Sequence, residues 1–225
     1  MANWQILMLR LELSILSPVS EPIKVGLSQL DTVLHDARAA LPTVTLPSGH
    51  RYMLPALLHD LALEHAWSIG LLISTGRFAS AFALTRSEFE CLIRGLWLYH
   101  RASDDQIATF VKMDKGVPNV GDMIAALENG PGFESKVLSS LWDVGRKAMH
   151  GYTHGGIHQL GRRMNGKYVE AVFEDAAILE AIQLTAQTAV TAFSAVADMA
   201  DRSDLLSQAK VMMDGPASSI VRLAQ

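Results

Sequence analysis

Apolar residues recur at helical spacing through most of the chain, and proline or glycine marks the places where that pattern stops. A helix is expected over residues 4–16, closed by Pro18 and Pro22. A second is expected over residues 22–41, with Pro22 in its first turn and Pro42 beyond its end. Val25, Leu27, Leu30, Val33 and Leu34 give it an apolar stripe, and Asp31, Asp36 and Arg38 a wet side. Residues 41–52 read as an extended connection with room for one short strand. Residues 54–75 read as a mostly buried helix, because charge occurs only at Asp60 and Glu64. Gly76 ends it and a helix over residues 79–101 follows at once, which predicts an antiparallel pair.

Ser103 opens the next helix, with Gln106 as its capping-box partner, and this helix ends near Met113. A short helix is expected over 122–128 and a longer one from 133 to about 150, where Gly151, Gly155 and Gly156 blur the end. Asn165-Gly166, between two short polar–apolar runs, signals a tight hairpin within residues 162–170. Residues 174–200 form the longest helical stretch; 201–213 either continue it or break at Ser203, and Pro216 sets off a tail. The sum is an all-α helical bundle with a small β excursion, a single domain over residues 1–225. Its core lies at 54–202, the N-terminal helices at 4–41 pack on it, residues 204–225 form the tail, and the helix carrying Arg86 is central.

Composition narrows the classes. Of 225 residues, 49% are apolar and 19% charged, so a sizeable core is available and disorder is excluded as a general description. A net charge of −4 gives no overall field toward nucleic acid or an anionic membrane. The lone Cys91 excludes an internal disulfide framework and fits a reducing compartment. The apolar start lacks a cationic flank and a cleavage site, and Arg10 and Glu12 interrupt it. No run reaches the roughly 18 uninterrupted apolar residues of a membrane span. The expectation is a cytoplasmic protein with no membrane partner and no cofactor.

Two polar series then stand out. Arg86, Glu90 and Arg94 recur at steps of four and share one side of their helix with Ala79, Ala83, Ile93, Trp97 and Arg101. One reading is a solvated face. The other is an inward stripe lining a polar cavity, in which Glu90 between two arginines keeps its charge and the second arginine leaves a net positive site for an anion.

The second series is Arg146, His150, His154 and His158, again at steps of four. From Val144 to Val169 there is no Asp or Glu, while Arg146, Lys147, Arg162, Arg163 and Lys167 all fall there. A basic loop balanced by Asp198, Asp201 and Asp204 accounts for this without function. Three functional readings compete with it. The three imidazoles would face one metal ion if the helix ran through Gly151 and Gly155, with Glu90 as a distant fourth ligand; the glycines and the missing carboxylates argue against it, and no metal is expected. Alternatively, His154, with His150 second, moves the proton of a ribose hydroxyl while Arg146 holds the phosphodiester charge. In the third reading, Gly151, Gly155 and Gly156, with Thr153 and His154 beside them, bind an anion without chemistry. Arg86, Glu90, Arg94, Thr153, Arg162 and Arg163 are the candidate anion-binding residues.

The group Arg86-Glu90-Arg94-Gly95-Trp97, paired with Tyr152-Thr153-His154-Gly155-Gly156, resembles an uncharacterised family of bacterial all-helical proteins over residues 54–172. That resemblance implies the fold and implies that the two groups meet in space, which favours the inward stripe; it implies no activity. More distantly, an Arg and a His on a late helix of a bundle is similar to HEPN-type proteins. Many of these are dimeric, metal-independent ribonucleases of toxin–antitoxin and phage-defence systems. Their motif places four to six residues between Arg and His, whereas Arg146 is followed by three before His150 and seven before His154. The resemblance implies an RNA- or nucleotide-directed, toxin-like protein acting as a homodimer. The competing reading is a non-catalytic module that binds a small anion or a partner protein through the Arg/Glu/His centre.

Overall fold

The computed structural model describes residues 19–113 and 115–220. The helix expected over residues 4–16 lies outside them. The described chain is an all-α bundle with one two-stranded hairpin. Helix α1, Glu21–Ala40, carries Pro22 in its first turn and buries Ile23, Leu30, Val33, Leu34 and Ala37. A 3-10 turn, Leu41–Thr43, stands where a short strand had room. Helix α2, His50–Ser74, begins four residues earlier than the pattern suggests. Gly49, at φ 116°, takes the N-cap position, and its carbonyl accepts from the amides of Tyr52 and Met53 at 3.1 and 3.0 Å. Pro55, in the first turn of the expected helix, therefore lies a full turn inside the actual one.

Gly76, at φ 71°, turns the chain into α3, Phe78–His100, and α2 and α3 form the most extensive helix pair of the described residues. The end of α3 is held from two sides. Arg51 donates to the carbonyls of Tyr99 and Ala102, and Arg101 donates to those of Ala126 and Leu127. Helix α4, Asp104–Met113, opens on the expected capping box, with the Ser103 amide donating to Gln106 Oε1 at 2.8 Å and the Gln106 amide to Ser103 Oγ at 3.2 Å. Helix α5, Val120–Glu128, starts two residues early because Asn119 caps it, accepting from the Asp122 amide.

Helix α6, Val137–Thr153, starts late and runs past Gly151; a short α7, Ile157–Leu160, follows. Strands β1, Met164–Asn165, and β2, Tyr168–Val169, pair with Asn165 opposite Tyr168. The two-residue loop is thus Gly166-Lys167, one position later than an Asn165-Gly166 turn, with Gly166 at φ 58°. Helix α8, Asp175–Met199, is followed by a break in which Asp201 takes φ 53°, and α9, Ser203–Met212, runs into an irregular turn at Met213–Ala217.

The apolar interior falls into two clusters. One joins α1, α8, α9 and parts of α2 to the start of α3, ending there at Phe82. The other starts at Phe89 and joins the rest of α3 to α5 and α6. Between Phe82 and Phe89, helix α3 carries Thr85, Arg86 and Glu88, with Glu90 just beyond. Helix α6 crosses the same boundary, since Met149 belongs to the second cluster and Tyr152 packs on the first, with His150 between them. A polar seam thus separates two cores.

Both α2 and α8 are long and apolar enough to cross a membrane by length and composition, beyond what uninterrupted runs suggest. In α8 that apolarity serves the bundle, with 61% of its most apolar window buried, against 33% in α2. Helix α2 accordingly leaves Met53, Leu57, Leu61, Trp67 and Leu71 exposed.

Candidate functional site

Arg86 and Glu90 stand one turn apart on α3, where the seam leaves them only partly covered. The Arg86 Nε donates to Glu90 Oε1 at 2.6 Å, and the two side chains are 24% and 25% exposed. The stripe is therefore neither a solvated face nor the lining of a closed chamber. Its apolar members Ala79, Ile93 and Trp97 are buried, while Arg86 and Glu90 meet solvent at the opening of the seam.

Across the seam, Arg86 Nη1 lies 2.8 Å from His150 Nδ1, joining α3 to α6 over 64 positions of sequence. A guanidinium can only donate, so Nδ1 accepts and the proton of the neutral imidazole resides on Nε2. The His150 and His154 rings lie 4.6 Å apart between centroids, and both residues are exposed. Thr153 is committed locally: its hydroxyl donates to the Met149 carbonyl at 2.9 Å and reaches the Ala83 carbonyl at 3.3 Å, pinning the end of α6 to α3.

The remaining sequence candidates go elsewhere. Arg94 is half-buried beside Cys91, and its Nε has no hydrogen-bond partner among the described residues. Burial pushes the Cys91 thiol up, with Arg94 opposing. Arg146 is exposed on the α5 side of α6, where it lines a cavity of about 390 Å³ with Glu128, Lys136 and Asp143. His158 leaves the series of four because Gly155, at φ 65°, ends the helical path; its ring packs instead on Gly151, where a Cβ would come within 3.1 Å of it. Among the described residues no group of three or more His, Cys, Asp or Glu is placed to hold a metal ion.

Arg162 has a structural position rather than an open one. Its guanidinium sits over Phe82, Phe173 and Tyr152, 5.3, 5.4 and 5.8 Å from the ring centroids, and donates to the Tyr152 hydroxyl at 3.3 Å. Its carbonyl accepts from the Val172 amide, so the same residue anchors the base of the hairpin, while Arg163 is exposed. Arg162→Ala should raise amide exchange across residues 164–169 about tenfold, because an isolated two-stranded hairpin is marginal. Unchanged exchange would show that the cage does not hold the hairpin.

Two buried ionisable groups escape sequence reasoning. His59 on α2 is fully buried with neither ring nitrogen hydrogen-bonded among the described residues, and it packs on Gly95 of α3. Burial, aided by His100, lowers its pKa to about 3. Glu88 is 1% exposed, and its Oε1 has no hydrogen-bond partner among the described residues. Burial pushes its carboxyl well above the usual range, with neighbouring Thr185 pulling the other way. The signal for Glu88 was a lone carboxylate on the apolar back of α3; for His59 it was Gly95, a poor helix former inside a long helix, marking a close approach.

A family of unknown function (DUF6988) matches residues 59–215, from within α2 to the turn after α9. The span takes in Arg86, Glu90, His150 and His154, and it extends past residue 172, where the sequence resemblance ends. No curated protein and no solved structure matches the chain.

Proposed function

The chain belongs to this family of unknown function, and on that premise we propose that the α3–α6 seam carries out metal-independent acid–base chemistry on an RNA or nucleotide phosphodiester. The observation that carries the proposal is the 2.8 Å contact between Arg86 and His150. It orients His150 so that Nε2–H faces away from the arginine and can donate a hydrogen bond to a phosphate oxygen. His154, next to it and exposed, takes the proton of a ribose hydroxyl and, as the imidazolium so formed, returns it to the leaving oxygen. Arg86 holds a phosphate oxygen through Nη2, and Glu90 fixes the guanidinium from its Nε side. The arginine that completes the His pair thus comes from α3 rather than from Arg146, which offers a way round the spacing that fails the HEPN motif. A bacterial defence or toxin-like role of distant HEPN type follows from this chemistry.

The test is cleavage of a labelled oligoribonucleotide in EDTA, with its 2′-deoxy analogue as control. His154→Ala and Arg86→Ala should each slow cleavage by about 10²–10⁴. Expression of the wild-type chain should arrest growth, and the His154→Ala variant should not. Absence of cleavage, with toxicity retained in His154→Ala, overturns the proposal.

The pairing of Arg86 with Glu90 favours a second reading, because the carboxylate offsets the cation that would attract a polyanion. In that case the centre binds a small anion or a partner protein without turnover. Binding of the deoxy analogue that weakens in Arg86→Ala, with no cleavage of the ribo-oligomer, selects it.

A further inference from the structure

A cavity of about 410 Å³ opens between the end of α1, the 3-10 turn that follows it and the middle of α2. It shares no residue with the α3–α6 seam. Leu34, Leu41, Pro42 and Leu63 give it apolar walls. On α2, Asp60, Glu64 and Trp67 follow one another at steps of four and three, so all three stand on one side of the helix and line the same space. The indole is 41% exposed. An apolar cavity of this size with a few convergent polar groups is the usual form of a small-molecule site.

The polar groups decide the kind of ligand. Arg38, from α1, places its guanidinium 5.7 Å from the centroid of the Trp67 ring, so a cation already sits on the indole. That guanidinium pairs with neither carboxylate, and Asp60 and Glu64 have no ion-pair partner among the described residues. Two carboxylates against one guanidinium leave the cavity negative, which disfavours an anion. No third His, Cys, Asp or Glu joins the two carboxylates, and hard metal cations take about six oxygen ligands. An organic cation with an apolar body answers all of these groups. We propose that this cavity binds a small aliphatic diamine or polyamine. Each carboxylate takes one ammonium, since side chains one turn apart match ammonium groups separated by about four methylenes. The methylenes lie along Leu63 and Trp67, and Arg38 yields the indole to the ligand.

The test is calorimetric titration of the full chain with 1,4-diaminobutane in about 150 mM salt, which screens diffuse attraction to an acidic surface. A dissociation constant of about 100 µM or tighter is expected. Asp60→Asn and Glu64→Gln should each weaken binding about tenfold, whereas Asp105→Asn, the same charge change on α4, should leave it unaltered. Trp67→Leu, which changes no charge, should weaken it about fivefold. Arg38→Gln should tighten it, because the competing cation is gone. These side chains are all exposed, so the variants fold. The monoamine n-butylamine, which presents one ammonium as a partner protein's lysine would, should bind at least tenfold more weakly. No heat of binding at millimolar diamine overturns the proposal. So does n-butylamine binding as tightly as the diamine, or a diamine affinity indifferent to Asp60→Asn or Trp67→Leu.

Discussion

Thermal melts between pH 3 and pH 9 should show greatest stability between about 4.5 and 6.5, the ordinary values of the two buried groups that set the limits. His59 forms the acid limb. Its folded-state pKa of about 3 lies below the ordinary 6.5, so on acidification the unfolded chain binds a proton that the fold refuses. Stability present above 6.5 is therefore lost by about 1.4 kcal/mol per pH unit as pH falls toward 3. Glu88 forms the alkaline limb. Its folded-state pKa lies well above 4.5, so the fold keeps a proton that the unfolded chain releases. Stability present below 4.5 is lost at the same slope as pH rises, until the buried carboxyl ionises in place.

Between 4.5 and 6.5 the two slopes have opposite sign and cancel. Half-buried His65 and His100, both lowered by burial, steepen the acid side. The comparison is therefore with variants. Glu88→Gln keeps the shape, removes the titration and should flatten the alkaline limb. His59→Leu should flatten much of the acid one. Limbs that persist unchanged in the respective variants would remove these groups from the account.

Gly95→Ala should cost about 1–3 kcal/mol, seen as a fall of several degrees in Tm. A Cβ at Gly95 would lie 2.6 Å from His59 Cε1 and 2.8 Å from its Nε2. His59 is fully buried, so its ring has no room to swing away, and α2 must move off α3 where the two helices pack most extensively. His59→Ala makes the space but leaves a cavity, so it too destabilises. The double variant should cost less than the sum of the singles, because each change relieves the other. Additive costs, or a Gly95→Ala melt identical to wild type, would show that the helices already have slack.

The course of α3 was legible because its punctuation is local: Gly76 before it and the Ser103–Gln106 box after it are read from neighbouring residues. The Arg86–Glu90 pair was legible for the same reason, since a step of four fixes the geometry. Its union with His150 required knowing which helix lies against α3 at that height, and periodicity carries no information on lateral neighbours. Arg94 shows the cost of that limit. It shares the step of four but turns beyond the opening, and so joins neither Glu90 nor the histidines. The start of α2 was misplaced because prolines suggest boundaries, while Gly49 set the true one through a backbone angle. Arg162 counted as a free cation until three aromatic rings, distant in sequence, closed around it.

The seam between the two apolar clusters has a mechanical consequence. Interlocked apolar side chains resist sliding, and along α3 that interlocking thins between Phe82 and Phe89, where only Leu84 packs on the first cluster. The Arg86–His150 contact and the Thr153 hydroxyl are the polar fasteners across that stretch. A ligand that bridged Arg86 and His150 would therefore tie α3 to α6 at the height where their apolar packing is thinnest, and its occupancy would be felt as stiffness along both helices.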